Sequence, residues 1–121
     1  MSKIRQLFGR DGENLAERFL KKKGYVLVER NYRCRGGEVD LIVLDRRTIV
    51  FVEVKTRSDA SFGSPLEAVE TRKQRKMIRA AEFFLNEKKL HNRDARFDVV
   101  GISWFGPKPS VEHIENAFEL S

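Results

Sequence analysis

The chain has 121 residues, 35% charged and 40% hydrophobic, a balance that fits one folded domain over residues 1–121 and excludes a disordered tail. Its formal charge of +6 and pI near 9.7 favour a polyanionic partner, either nucleic acid or an acidic surface. The lone Cys34 excludes an intramolecular disulfide, and no apolar run nears the roughly 20 residues that span a bilayer. No signal-type apolar stretch follows Met1-Ser2-Lys3, so the cytoplasm is the expected compartment and no membrane partner is expected. His91 and His113 read as surface or loop histidines, and a homodimer is compatible with the composition.

The first helix is expected over Gly12–Lys23, with Asp11 as its cap, Lys21–Lys23 in its last turn and Gly24 stopping it. Leu15, Ala16, Phe19 and Leu20 form its apolar stripe; Glu13 lies at the rim of that stripe and Glu17 points further toward solvent. Glu13 is therefore the better inward-looking acid, although a first-turn glutamate beside the helix dipole needs no other role. Tyr25–Arg30 reads as a first strand, and Asn31–Gly36 as a basic loop carrying Arg33 and Arg35.

Gly37–Asp45 and Thr48–Lys55 are alternating, β-branched segments joined at Arg46-Arg47, the pattern of a hairpin. With that loop Asp45 faces Thr48, Leu44 faces Ile49, Ile42 faces Phe51, Asp40 faces Glu53 and Glu38 faces Lys55. Period-two alternation then sets Leu44, Ile42, Asp40 and Glu38 on one face with their partners. Two carboxylates directly opposed have Cβ atoms roughly 5 Å apart. At an effective dielectric near 20 they repel by roughly 3 kcal/mol. A divalent cation, a shared proton, or Lys55 with a basic neighbour must compensate, and oxygen-only ligands suit Mg²⁺ or Mn²⁺ better than zinc. The plain alternative is one exposed carboxylate and one ion pair with Lys55.

Thr56–Gly63 is polar and reads as a mobile segment. Ser64-Pro65-Leu66-Glu67 and Thr71-Arg72-Lys73-Gln74 are successive capping boxes, so a short helix should break before a longer one that runs to about Lys89. On the longer helix Arg72, Arg75, Lys76 and Arg79 project on one side, with Met77, Ala81, Phe84 and Leu85 on the other. That basic stripe is either a solvated face or a track for phosphates. Gln74, on the apolar side, needs a partner: the carboxylate cluster or a buried hydrogen bond without chemistry. Arg96–Trp104 and Ser110–Ile114 read as two last strands around a turn at Gly106-Pro107-Lys108-Pro109. The order α-β-β-β-α-β-β describes a layered α/β domain with a mixed sheet, its first three strands antiparallel and its long helix leading to a parallel partner.

Asp40 followed by Glu53-Val54-Lys55 resembles the PD-(D/E)xK signature of the restriction-endonuclease-like nucleases. The wider pattern resembles the YraN family of small bacterial proteins. Its matching pieces are Gly12-Glu13 with Ala16, Arg30-Asn31-Tyr32-Arg33, Gly37–Ile42, Phe51–Arg57, Gly63, Ala68-Val69, Lys73 and Arg96–Val100. Glu13 also stands as far before the helix-ending glycine as a glutamate of the archaeal Holliday junction resolvases does. The signature's proline is absent, Val39 preceding Asp40.

The resemblance implies a restriction-endonuclease-like αβββαβ core, a mixed sheet with helices on both faces. It further implies a metal-dependent nuclease acting on nucleic acid, DNA of branched or single-stranded form being the first choice. Asp40 and Glu53 would bind Mg²⁺ or Mn²⁺ with the Val54 carbonyl, Glu13 would hold the metal or its water, and Lys55 would orient or deprotonate the attacking water. Glu38 could take the supporting place of Glu13, or pair with Lys55, and Gln74 is a second supporting residue. Arg33, Arg35, Arg57 and the stripe Arg72, Arg75, Lys76 and Arg79 would contact the nucleic acid. The alternatives are a nucleic-acid-binding protein of this fold with little turnover, and a protein-interaction or scaffolding role.

Overall fold

A computed structural model describes residues 2–57, 65–104 and 107–119. Helix α1 (Ser2–Lys22) leads into a meander of β1 (Val26–Cys34), β2 (Gly37–Asp45) and β3 (Thr48–Arg57). A 3-10 turn at Pro65–Ala68 precedes helix α2 (Thr71–Glu87), which returns to β4 (Ala95–Ser103) and β5 (Ser110–Phe118). The strands form one five-stranded sheet in the order β1-β2-β3-β4-β5. Among the described strand pairs only β3–β4 is parallel, as the crossover through α2 allows.

The two helices cover opposite faces. Met77, Ala80, Ala81 and Phe84 of α2 pack on Tyr32, Val39, Ile42, Ile49, Phe51 and Phe97. Phe84 meets Tyr32 and Phe51 edge-on, with ring centroids 5.3 and 5.9 Å apart, the arrangement that aromatic quadrupoles favour. Ala16 and Leu20 of α1, with Tyr25, pack on the other face, against Leu41, Val43, Val50 and Val52. Strand β3, flanked on both sides and covered on both faces, has five consecutive buried residues, Ile49–Glu53.

Several boundaries differ from expectation. Helix α1 begins at Ser2 rather than Gly12, so Asp11 is an exposed residue of a helix interior and caps nothing. Gly12 had the look of a helix start, but its role is packing: a Cβ there would overlap Thr56 Cγ2 of β3. That close approach brings the adjacent Glu13 toward the sheet. Strand β1 runs on to Cys34, absorbing the expected basic loop, so Arg33 is a strand residue paired with Glu38. A bulge between Leu27 and Glu29, and Asn31 at φ 50°, interrupt the alternation on which the shorter reading rested. Thr71 is the first residue of α2, after Glu70 at the cap position, and no side chain caps that end. Strand β5 continues to Phe118 through an irregularity opposite Asp98, which hides the strand period after Ile114. The polar segment 58–64, with Gly63 and Ser64, and Gly106 of the late turn lie outside the described residues.

His113 is not a surface histidine. Its side chain is 3% exposed, its Nε2 lies 2.7 Å from Asp98 Oδ2, and Lys23 Nζ lies 2.8 Å from its Nδ1. A lysine can only donate, so Nδ1 accepts and Nε2 carries the proton toward Asp98. Arg96 Nε (3.0 Å) and the Asn116 backbone N–H (3.0 Å) also donate to Asp98, which ties β5 to β4.

Candidate active site

The hairpin register holds for Asp45↔Thr48, Leu44↔Ile49 and Ile42↔Phe51, and the ladder continues to Leu41↔Val52. Past that pair no Cα pairing joins β2 to β3, although each still pairs with its outer neighbour. The expected Asp40–Glu53 and Glu38–Lys55 pairs are therefore not ladder pairs. In their place the Val54 backbone N–H donates to Asp40 Oδ2 at 2.8 Å. A short carboxylate competing for a strand N–H, next to a second carboxylate, accounts for the parting of the strands. The strict alternation fails here too: Val39 packs on the α2 side with Ile42, although Leu41 packs on the α1 side.

Glu53 is the centre of the opened wedge. It is 4% exposed, and its Oε1 has no hydrogen-bond partner among the described residues. Lys55 Nζ lies 3.8 Å from Oε2 and Lys73 Nζ 3.8 Å from Oε1, ion pairs too long to be hydrogen bonds. Burial, and then the charge of Asp40 beside it, push the Glu53 carboxyl up to about 8, while Lys73 and Lys55 pull the other way. Lys73 itself remains charged: burial lowers its pKa, but Glu53 and Glu38 more than offset this and leave it raised.

The remaining expected residues divide. Glu13 is held by Arg30 (Oε1 to Nη2, 3.5 Å), and its pKa is raised by burial and then by the charge of Asp40. Glu17 is no more exposed than Glu13, at 15% against 21%, because the same Arg30 binds both. Glu38 pairs with Arg33 (3.5 Å) and Lys73 (3.2 Å), not with Lys55. Gln74 donates to the Val69 carbonyl at 3.1 Å, the hydrogen bond without chemistry. Arg72, Arg75, Lys76 and Arg79 lie on α2, all four exposed, and Arg35 is exposed at the β1–β2 turn. Arg57 lines a separate groove with Ser103, Ser110 and Glu112.

A family model described as uncharacterised protein family UPF0102 matches residues 12–102. The chain belongs to this family. A UPF0102 protein of Geobacter metallireducens is 46% identical over 121 residues, covering 100% of this chain and 99% of the relative. One from Desulfosudis oleivorans is 50% identical over 117 residues, 97% of this chain and 94% of that relative. A third, from Geobacter sulfurreducens, is 47% identical over 117 residues, 96% and 91% of the two chains.

In this UPF0102 chain Lys73 is the site residue that sequence reasoning passed over. The signal was present: Lys73, Met77 and Ala80 are spaced i, i+4, i+7, so the lysine begins the helix's buried stripe and not its exposed one. Asp40 and Glu53 offer hard oxygen donors, and the orphaned Glu53 Oε1 is the kind of atom a divalent cation satisfies. Among the described residues, however, no group of three or more His, Cys, Asp or Glu is gathered to hold a metal. Glu13, tied to Arg30, does not complete such a set. No described helix is long and apolar enough to cross a membrane.

Proposed function

We propose that this UPF0102 protein is a metal-dependent nuclease that hydrolyses phosphodiester bonds in nucleic acid, DNA first, on a restriction-endonuclease-like core. The observation that carries the reading is Glu53: an almost inaccessible carboxylate, beside a second one, with an oxygen left unbonded and a lysine on each side. A protein that needed only a stable sheet would gain nothing from a buried acid with an oxygen that no described residue hydrogen-bonds. The element order, the parallel β3–β4 pair and the helix on each face support the αβββαβ reading of the core.

Asp40 and Glu53 would hold Mg²⁺ or Mn²⁺, which when bound supplies charge neutralisation at the phosphoryl oxygen and a more acidic water. Asp40 is oriented for this by the Val54 N–H, which donates to its Oδ2. Lys55, 35% exposed, reaches solvent from the same strand and orients the attacking water while offsetting charge on the phosphate. Glu13, held on α1 by Arg30, would help to hold the metal's water. Arg72, Arg75, Lys76 and Arg79 contact the flanking backbone.

The absence of a third gathered carboxylate among the described residues favours the second reading, a nucleic-acid-binding protein with little turnover. Calorimetric titration with Mg²⁺ and Mn²⁺, beside a cleavage assay on labelled linear, flapped and four-way substrates, decides between them. Metal binding with cleavage of at least one substrate is expected. Nucleic-acid binding with neither metal uptake nor cleavage retires the nuclease.

A further inference from the structure

Lys73 is a cation at the acid pair that the proposed hydrolysis leaves without a role. Its backbone is held in the first turn of α2, on the face carrying the buried Met77 and Ala80. Its ammonium stands 3.2 Å from Glu38 Oε1 and 3.8 Å from Glu53 Oε1, between a half-exposed carboxylate and a buried one. Glu38 in turn holds Arg33 through its other oxygen, Oε2, at 3.5 Å. Arg33 lines a groove of about 410 Å³ with Gly36, Gly37, Lys76 and Arg79. That groove has a firm floor, since a Cβ on Gly37 would run into the Lys76 carbonyl of α2. Glu38 thus joins the acid pair to a cationic groove, with Lys73 at the junction. From Lys73 to Arg79 the helix rises about 9 Å, the reach of two or three successive phosphates along a strand.

We propose that Lys73 is a phosphate-positioning residue, which leaves Glu38 to take the phosphate next to the one at the acid pair and passes the strand into the Arg33–Lys76–Arg79 groove. The ligand class is a run of consecutive phosphates in a nucleic-acid strand. The inference rests on the acid pair being where a phosphodiester lies.

The test is fluorescence anisotropy of labelled oligonucleotides with the full chain in Ca²⁺, which takes the same oxygen ligands. Binding is followed as a function of salt for wild type, K73M, K73R and E38Q. K73M should weaken binding about tenfold, the scale of one charge-assisted hydrogen bond. Its log–log salt slope should be shallower by about 0.9 on duplex or about 0.7 on single strands. K73R should restore both, and E38Q, by releasing the lysine, should bind tighter than wild type. A methylphosphonate that neutralises one phosphate should weaken wild type at a single position and leave K73M unchanged there. If K73M binds with wild-type affinity and slope, Lys73 is only a counter-ion of Glu38 and Glu53, and the proposal is overturned. If wild type binds no oligonucleotide, the nucleic-acid reading of the whole site falls with it. Wild type that shows the Lys73 signatures in Ca²⁺ yet neither takes up Mg²⁺ or Mn²⁺ nor cuts any substrate with them retires the nuclease and keeps the phosphate seat.

Discussion

Glu53 on β3 and Asp98 on the adjacent β4 are both buried, at 4% and 0% exposure, and their surroundings are opposite. Asp98 is met by His113, by the Arg96 guanidinium and by the Asn116 N–H. Burial raises its pKa, but those hydrogen bonds prevail and leave it below the usual carboxylate value. Glu53 has a second carboxylate beside it, two ammonium groups at 3.8 Å and an unbonded oxygen, and its pKa goes up. Equal burial has thus been treated in two ways: one acid is fully partnered to tie strands together, the other is left short of partners. Strain concentrated at one of two comparable positions is the pattern expected where a ligand completes the site.

The largest effect should come from breaking the satisfied acid. Asp98→Asn turns an amide N–H₂ toward the donors that the carboxylate accepts from, His113 Nε2, Arg96 and the Asn116 N–H, while Asp45 and Glu115 still hold Arg96, and should cost about 3 kcal/mol, read as a lower midpoint in urea. Wild-type stability carried by Asp98 should be present above the unfolded carboxylate pKa and lost as pH falls through its lowered folded value. A midpoint for Asp98→Asn unchanged from wild type would erase the contrast.

On the functional side, Lys55→Ala should reduce cleavage by about 100-fold or more, roughly 2.7 kcal/mol of transition-state stabilisation, while the urea midpoint stays close to wild type. A variant that unfolds instead of merely failing to cut would place Lys55 with the structural group.

Glu53→Gln should do the reverse of Asp98→Asn and stabilise the metal-free protein near neutral pH by on the order of 2 kcal/mol. The sign follows from the raised pKa. Between about 4.3, the unfolded value, and about 8 the folded state binds the extra proton, so wild-type stability falls as pH rises through that window. The Gln variant should lose this slope, and Mg²⁺ should stabilise wild type alone. Urea midpoints across the window, with and without Mg²⁺, check all three.

The smallest effect belongs to the basic face of α2. Replacing Arg75 and Arg79 together should leave stability unchanged and reduce the salt slope of duplex binding by about 0.9 for each phosphate no longer neutralised. An unchanged slope returns the stripe to an ordinary solvated surface.

Read from one dimension, the chain determined a good deal: the hairpin of β2 and β3, the break before α2, its basic stripe, and the proximity of Asp40, Glu53 and Lys55. Each depends on local periodicity or on one short register, which chain connectivity imposes within a few residues. The helix α1 begins earlier than expected because Asp11-Gly12 resembles a capped start, whereas the missing side chain of Gly12 serves close packing against Thr56 of β3. The continuation of β1 and β5 was hidden by irregularities that break the period while keeping the ladder. Only the tertiary structure decided the partners of the charges: Glu38 with Lys73 and Arg33 instead of Lys55, Gln74 with Val69, and His113 with Asp98. A charged side chain near a strand end has many reachable counter-ions. Which one it takes depends on how neighbouring strands and α2 come together, and local pattern carries no information about that arrangement.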